Sequence, residues 1–255
     1  VLLKSKLLQH INNAFQLKLP AEVSRLGDVR FRGKVRGARN YHHAKGTLML
    51  AHGNADIDFL LRGKTINAEL HTPHFTLGNI LTSSQLGTIA ADIKVEASSN
   101  LRHINAKGIV PRLDYNGYSY RNIAVNGNYT NDTFSGKASI NDLNGKLAID
   151  GTVGNIRHFI EKKGTLMVNA RIDADRLNLH NMHITDALGD RTLSFQTTLA
   201  GSGASVNDLI GKLTLDNFVM QEDNSHRFKL DHLELKAANR LMGRSVDLLS
   251  DFGTL

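Results

Sequence analysis

The sequence contains no cysteine, no tryptophan and only 3 prolines among its 255 residues. The absence of cysteine excludes disulfides, zinc–thiolate sites and a cysteine nucleophile. The longest apolar runs fall far short of the roughly 20 residues that a membrane-spanning helix needs, so we expect the chain to lie outside the bilayer core. Because proline is scarce, glycine, asparagine and aspartate must make most of the turns.

The most prominent feature of the sequence is an alternation of apolar and polar residues. Over 88–97 the apolar positions Ile89, Ala91, Ile93 and Val95 are separated by charged residues, except that Ala90 follows Ile89. A period of two places successive side chains on opposite faces of a strand, so such a run has one apolar and one wetted face. The pattern recurs at 29–36, 65–70, 146–153, 165–175 and 192–199. This repetition predicts an all-β protein built from antiparallel strands.

Glycine and asparagine punctuate these runs. A glycine followed by Lys or Thr and an apolar residue recurs, which we interpret as the start of successive strands of one repeated β unit. These phrases begin at Gly33, Gly46, Gly87, Gly145, Gly164 and Gly211. Hairpin turns are predicted at Asn116–Gly117, Asn126–Gly127, Asn131–Asp132 and Asn144–Gly145, because Asn-Gly pairs are the strongest short hairpin signal.

Helical signal is confined to short patches. The best patch has Leu3, Leu7, Ile11 and Phe15 on one side and predicts an amphipathic helix over 2–17. No Pro-rich or Gly/Ser-rich linker interrupts the chain, so we expect one continuous repeating segment over 1–255. Since the sequence begins inside a predicted helix and ends in a run typical of a strand, we expect an internal piece of a longer protein.

No catalytic motif is complete. Gly63-Lys64-Thr65 ends like a phosphate loop, but Asp58 stands where the motif requires glycine and a strand follows instead of a helix. Gly201-Ser202-Gly203 lacks the third glycine of a dinucleotide fingerprint and is typical of a turn. No serine lies in a nucleophile elbow, so an enzymatic function and a cofactor are not expected.

Histidine and aspartate pairs raise the question of a metal or hydrolytic site. His71 and His74 are three residues apart, as are His180 and His183, but neither pair has a convincing third ligand. The pairs Asp56/Asp58 and Asp173/Asp175 share the polar face of a strand, where solvation is the favoured role. We therefore predict no metal site.

Positive charge is concentrated near the start of the chain. The net charge is +7, and the densest basic cluster contains Arg25, Arg30, Arg32, Lys34, Arg36 and Arg39. Such a cluster could meet anionic lipid or nucleic acid. Alternation alone would direct these side chains outward, so a solvated strand face is the favoured interpretation and nucleic acid is not an expected partner.

With these patterns in view, the chain resembles the TamB family of Gram-negative envelope proteins, within the AsmA-like group, and especially its Bacteroidetes forms. Many degenerate phrases along nearly the whole chain carry the resemblance. They are LPAEVSRLGDV at 19–29, HFTLGNIL at 74–81, LGTI at 86–89, YSYRNI at 118–123, LIGKL at 209–213, LDHL at 230–233 and SDF at 250–252. The amino-terminal membrane anchor and the carboxy-terminal conserved domain of that family are not in this sequence.

The resemblance implies an elongated, curled antiparallel β-sheet that forms an open apolar groove, called a β-taco. It further implies a periplasmic segment of a translocation and assembly module, anchored in the inner membrane through a missing part. Family members act in phospholipid transport and outer-membrane biogenesis together with an outer-membrane β-barrel partner. The implied partners are therefore phospholipids, that barrel and the inner membrane.

The inward row of each alternating run is the predicted lining of such a groove. The lining residues are Ile66, Ala68, Leu70, Ile89, Ala91, Ile93, Val95, Leu147, Ile149, Leu166, Val168, Ala170, Ile172, Leu193, Phe195, Leu213 and Leu215. The same alternation is compatible with a filled β-sandwich core, as in an extracellular or cell-surface adhesin or structural repeat. Frequent inward Ala and Gly, few large aromatics and the family resemblance favour the groove. A membrane barrel ranks last because aromatic girdles are missing.

Overall fold

Antiparallel strands make up nearly all of the described chain. The computed structural model describes residues 2–3, 29–160, 163–204, 208, 210–222, 226–240 and 243–254. Strands account for 76% of the structure, are hydrogen-bonded in chain order, and form an antiparallel sheet that is not closed into a barrel. The prediction of an all-β antiparallel fold is confirmed.

Sixteen strands follow one another along the described chain, two of them only two residues long. Their bounds are β1 Leu2–Leu3, β2 Val29–Ala38, β3 Tyr41–Leu50, β4 Gly53–Arg62, β5 Thr65–Thr76, β6 Leu86–Ser98, β7 His103–Tyr115, β8 Tyr118–Thr130, β9 Thr133–Asp142, β10 Gly145–Gly154, β11 Leu166–Asn178, β12 Thr192–Gly203, β13 Ile210–Gln221, β14 Arg227–Arg240, β15 Gly243–Ser250 and β16 Gly253–Thr254. Short helices at Gly78–Leu81 and Ile156–Ile160 connect β5 to β6 and β10 to β11. Within the described part of the chain, no helix is long and apolar enough to span a bilayer.

The chain divides into two compact units, Val1–Asn126 and Gly127–Leu255. Unit 1 contains β1 to β7 and most of β8, and unit 2 contains β9 to β16 after the end of β8. Each unit is a meander in which a strand pairs with its sequence neighbours, as short connections favour. The expectation of a single repeating segment over 1–255 stays a prediction.

The predicted amphipathic helix over 2–17 is wrong at its first two residues. Leu2 and Leu3 form β1 and pair with Arg30 and Val29 at the start of β2. The edge of β2 offers unpaired backbone groups there, and pairing with them takes precedence over a helix start. Residues 4–17 lie outside the described residues.

Two of the four predicted hairpin turns are confirmed, and a third is displaced by one residue. Asn116 (φ 50°) and Gly117 (φ 77°) join β7 to β8 with both residues in the left-handed region, as a tight hairpin requires. Asn131–Asp132 also connects two strands, and the turn before β10 is Leu143–Asn144, one residue earlier than the predicted pair. Asn126–Gly127 was wrongly predicted as a turn and lies inside β8. A Cβ on Gly127 would come within 2.5 Å of the Phe134 ring, so this glycine makes room for an aromatic side chain instead of a turn.

The repeated glycines also have more than one role. Gly145 begins β10, as predicted, but Gly33 and Gly46 lie in the middle of β2 and β3 and face each other across the strand pair. The interpretation of these two as strand starts is wrong. Glycine is required at these two positions because the neighbouring backbone leaves no room for a Cβ on this face of the strand pair.

Buried side chains lie beside the strand bulges of each unit. In unit 1 the register shifts near Ala55, Thr72 and Ala91, and these three side chains are buried. The Thr72 hydroxyl donates a 2.7 Å hydrogen bond to the Asn54 carbonyl, which satisfies both polar groups. In unit 2 the shift between Ala174 and Leu177 lies beside buried side chains in the same way.

Candidate functional site

The strand register of unit 1 brings the predicted lining residues to one face, here called the inner face. Directly paired residues of antiparallel strands point to the same side of the sheet. Leu70 lies opposite Ile93, Ala68 opposite Val95, and Ile66 opposite Ala97. Beyond the bulge, Phe75 lies opposite Ile89, and Thr72 opposite Ala91. All seven lining residues predicted in this unit therefore share the inner face.

The same holds in unit 2, whose inner face is defined by its own register. Ile149 lies opposite Ile172, and Val153 opposite Val168. The remaining partners complete the face on this strand pair and extend it across two further strand pairs, β11–β12 and β12–β13. These pairs are Leu147–Ala174, Gly151–Ala170, Ala174–Phe195, Leu177–Leu193, Leu166–Gly203, Leu199–Leu213 and Thr197–Leu215. All ten lining residues predicted in this unit share one face.

Most of these inner-face side chains are neither fully buried nor fully exposed. Ile66, Ala91 and Leu193 are buried, whereas Leu70 and Ile149 are 38% and 37% exposed. The other twelve predicted lining residues are half-buried. In a filled core such residues would lose nearly all contact with solvent. The inner faces therefore retain accessible apolar surface, while their role in lining a lipid groove stays a prediction.

Crowded glycines show that the sheet bends toward the inner face. Gly33 and Gly46 oppose each other on the inner face of unit 1, and a Cβ on Gly46 would lie 2.5 Å from the Gly33 Cα. In unit 2 a Cβ on inner-face Gly151 would lie 2.5 Å from the Asn169 carbonyl oxygen and 2.9 Å from the Ala170 Cα. Opposed Cβ atoms normally stand about 4.5–5.5 Å apart. Neighbouring backbones converge on this side, so at these points the apolar face is concave.

A depression of about 570 Å³ lies in unit 1 along the row Ile57, Leu70, Ile93 and Gly108. Its lining also includes Val125 of β8 and outer-face residues that alternate with this row, among them Lys45, Asp58, Glu69 and Lys94. Its volume falls within the usual range of small-molecule sites. Residues from both faces of the four strands β4 to β7 therefore line the depression, so it is not a feature of the inner face alone.

Several inner-face residues are missing from the sequence prediction. On β4, Ile57, Phe59 and Leu61 face inward, but Leu60 between them obscures the alternation. On β7, Ile104, Ala106 and Gly108 face inward, Ile109 faces outward with 56% exposure, and a bulge follows it before Arg112. On β4, the acidic residues on both sides of Ile57 were the feature of the sequence that could have predicted its place on the inner face.

The opposite, outer face carries cross-strand ion pairs. Asp58 lies between Lys45 (2.8 Å) and His43 (2.7 Å), and hydrogen bonds from Lys45 and then His43 lower the pKa of the Asp58 carboxyl. Lys94 of β6 reaches Glu69 of β5 at 2.6 Å. Such exposed pairs contribute little stability, and they keep the outer face wetted.

Unit 2 repeats this arrangement around Glu234. Lys212 and Lys236 donate to its carboxylate at 2.7 and 2.5 Å from two neighbouring positions. These hydrogen bonds, Lys212 first, lower the pKa of Glu234 to about 2. The carboxylate is thereby held charged between a lysine of the neighbouring strand β13 and a lysine of its own strand β14.

The histidine and aspartate pairs that were considered as metal or hydrolytic sites lie on the outer face or in loops. His71 bonds Asp92 on the neighbouring strand, and Asp56 accepts a hydrogen bond from the Thr47 hydroxyl. Asp173 pairs with Arg171, and His180 pairs with Asp186 at 2.8 Å. Among the described residues, no group of three His, Asp or Glu side chains is arranged to hold a metal ion.

Comparisons of the chain with protein families, curated proteins and solved structures give no match.

Proposed function

We propose that the chain is a segment of a bridge-like lipid transport protein in the periplasm of a Gram-negative cell. Its inner faces would shield phospholipid acyl chains that move between the inner and outer membranes, in support of outer-membrane biogenesis and protein assembly. The observation that carries the proposal is the apolar inner face, which is concave at its glycines and half-exposed along most of its predicted lining residues. The resemblance to the TamB family adds the membrane context.

The energetics favour a continuous apolar surface for such a task. A buried methylene is worth about 0.8 kcal/mol, so a sixteen-carbon chain that leaves an apolar surface for water loses on the order of 10 kcal/mol. Inner-face rows that cross several strands would let an acyl chain pass from one row to the next without this loss. The polar outer face would remain in water throughout.

The proposed partners follow from the same resemblance. Phospholipid is the cargo, the parent protein is anchored in the inner membrane, and an outer-membrane β-barrel of the assembly module receives the far end. The proposal assigns no catalytic step to the chain and requires no cofactor.

Photocrosslinking tests the proposal most directly. A photoreactive amino acid at Ile93 or Ile172 is expected to form phospholipid adducts that mass spectrometry detects after purification from cells. The exposed outer-face positions Glu96 and Asn169 are the matched controls and are expected to form none. Equal labelling of both faces, or no adduct at either inner position, would contradict a lipid-shielding groove and favour a filled interior.

Substitution provides a second measurement. Ile93→Asp and Ile172→Asp are each expected to reduce co-purified phospholipid at least about tenfold, because a carboxylate facing acyl chains loses its hydration. Asn169→Asp introduces the same group on the outer face beside Ala170 and is expected to leave the lipid content unchanged. Circular dichroism of each variant separates loss of lipid from loss of fold.

A further inference from the structure

Four cations form a row on the outer face of β2. Arg30, Arg32, Lys34 and Arg36 alternate with inner-face residues, so all four project to the same side, and all four are exposed. With about 3.3 Å per residue, the row is roughly 20 Å long. These four residues are called the cationic stripe below.

The neighbouring strand supplies no negative charge to this stripe. In the β2–β3 register Lys34 lies opposite Lys45, Arg36 opposite His43, and Arg32 opposite Thr47. Among the described residues, none of the four stripe cations makes an ion pair, and Lys45 is itself paired with Asp58. Like charges placed directly opposite each other destabilise a strand pair.

Elsewhere on the outer face of unit 1, several cations are matched with acids across strands, although Lys94 also lies opposite Lys107. Lys94 pairs with Glu69, and Lys45 and His43 share Asp58. The cationic stripe departs from this arrangement although acidic residues in the same positions of β3 would neutralise it. The uncompensated charge is therefore suited to an anion outside the chain.

We propose that the cationic stripe docks the protein on the surface of a bilayer rich in anionic phospholipid. Three of its four members are arginines, whose planar guanidinium groups bind phosphate through paired hydrogen bonds. A single straight row fits a plane of headgroups. The facing outer residues Thr47, Lys45 and His43 provide no aromatic platform on which the bases of a single-stranded nucleic acid would stack.

This docking uses the outer face and is separate from acyl-chain shielding by the inner face. Each Lys or Arg close to an anionic membrane contributes about fivefold in affinity, so removing two of them lowers binding roughly 30-fold at low ionic strength. The attraction also weakens as salt shortens the screening length.

Vesicle co-sedimentation of the 255-residue chain tests the proposal. The probes are phosphatidylcholine vesicles with and without phosphatidylglycerol. Binding is expected only when phosphatidylglycerol is present, and Arg32→Gln with Arg36→Gln is expected to reduce it roughly 30-fold. Lys94→Gln with Lys137→Gln removes the same net charge from cations paired with Glu69 and Asp150, and is expected to reduce binding much less.

Four results would overturn the proposal. Equal binding to both vesicle types would show that apolar residues make the contact with the membrane. Unchanged binding of the arginine variant would show that the cationic stripe takes no part in that contact. Binding to duplex DNA but not to phosphatidylglycerol vesicles would identify a nucleic acid as the anion. If the arginine variant only forms oligomers while still binding vesicles, the stripe protects a sheet edge instead. The Ile93 and Ile172 crosslinks report on the inner face independently of all four.

Discussion

Individual glycines decide how closely two strands can approach on the inner face. Gly151 and Gly154 occupy the same strand, β10, yet only Gly151 points to the concave side. A Cβ on Gly151 would meet the backbone of β11, whereas a Cβ on Gly154 would have its nearest neighbours at 3.5 and 3.7 Å. Backbone cannot move aside as the tip of a flexible side chain can.

Gly151→Ala is therefore expected to lower the free energy of unfolding by about 1–3 kcal/mol, the usual cost of overpacking. Gly154→Ala on the same strand is expected to be neutral or stabilising by up to about 1 kcal/mol, because it restricts the unfolded chain. Urea denaturation of both variants provides the measurement. Equal effects at the two positions would show that the sheet does not bend sharply at Gly151.

The lowered pKa of Glu234 predicts a pH dependence of stability. A carboxyl whose pKa falls from 4.5 to about 2 on folding stabilises the protein above pH 4.5 and loses this contribution as the pH falls toward 2. The difference in unfolding free energy between the native protein and Glu234→Gln is thus expected to shrink from pH 5 to pH 2. Denaturation at a series of pH values measures it.

Removing both lysines supplies the control for this titration. In Lys212→Gln with Lys236→Gln the pKa of Glu234 is expected to rise toward 4.5, because both hydrogen bonds that hold the carboxylate charged are lost. Carboxyl NMR reports the pKa directly. A pKa that stays near 2 in this variant would refute the ion-pair explanation.

At the scale of elements, the β7–β8 hairpin depends on two left-handed residues. Gly117 has φ 77°, a conformation that costs most L-residues about 1–2 kcal/mol. Gly117→Ala is expected to destabilise the protein by about that amount, and Gly117→Asn by less, since asparagine tolerates this region. Thermal or urea unfolding ranks the three proteins. If alanine is tolerated as well as asparagine, the turn geometry is not limiting.

Elements also show where sequence prediction succeeds and fails. Asn116–Gly117 was correctly predicted as a turn because its neighbours alternate up to the turn on both sides. Asn126–Gly127 has the same local chemistry, but it lies within β8 because the Phe134 ring of the next strand occupies the space above the glycine. Contacts between strands, which a dipeptide does not encode, distinguish the two cases.

At the scale of the whole molecule, the two-residue periodicity of the sequence was largely sufficient to predict the lining residues. All seven in unit 1 and all ten in unit 2 lie on one face of their unit, because a period of two survives wherever a strand is regular. The prediction missed Phe59 and Ile104, whose strands contain an outward Leu60 and a bulge near Ile109. A single inserted residue exchanges the faces of a strand, and the exchange depends on the partner strand.

The sequence by itself determined the antiparallel all-β fold, the two-faced strands and most of the inner row, since alternation and turn residues act locally along the chain. Only the tertiary structure decided the register, the bulges, the concave bends at Gly46 and Gly151, and the half-exposed state of the inner residues. It also decided that the β2 cations face Lys45 and Thr47 instead of acids. These properties arise from contacts between strands far apart in sequence, and local periodicity is the same for a groove and for a filled core.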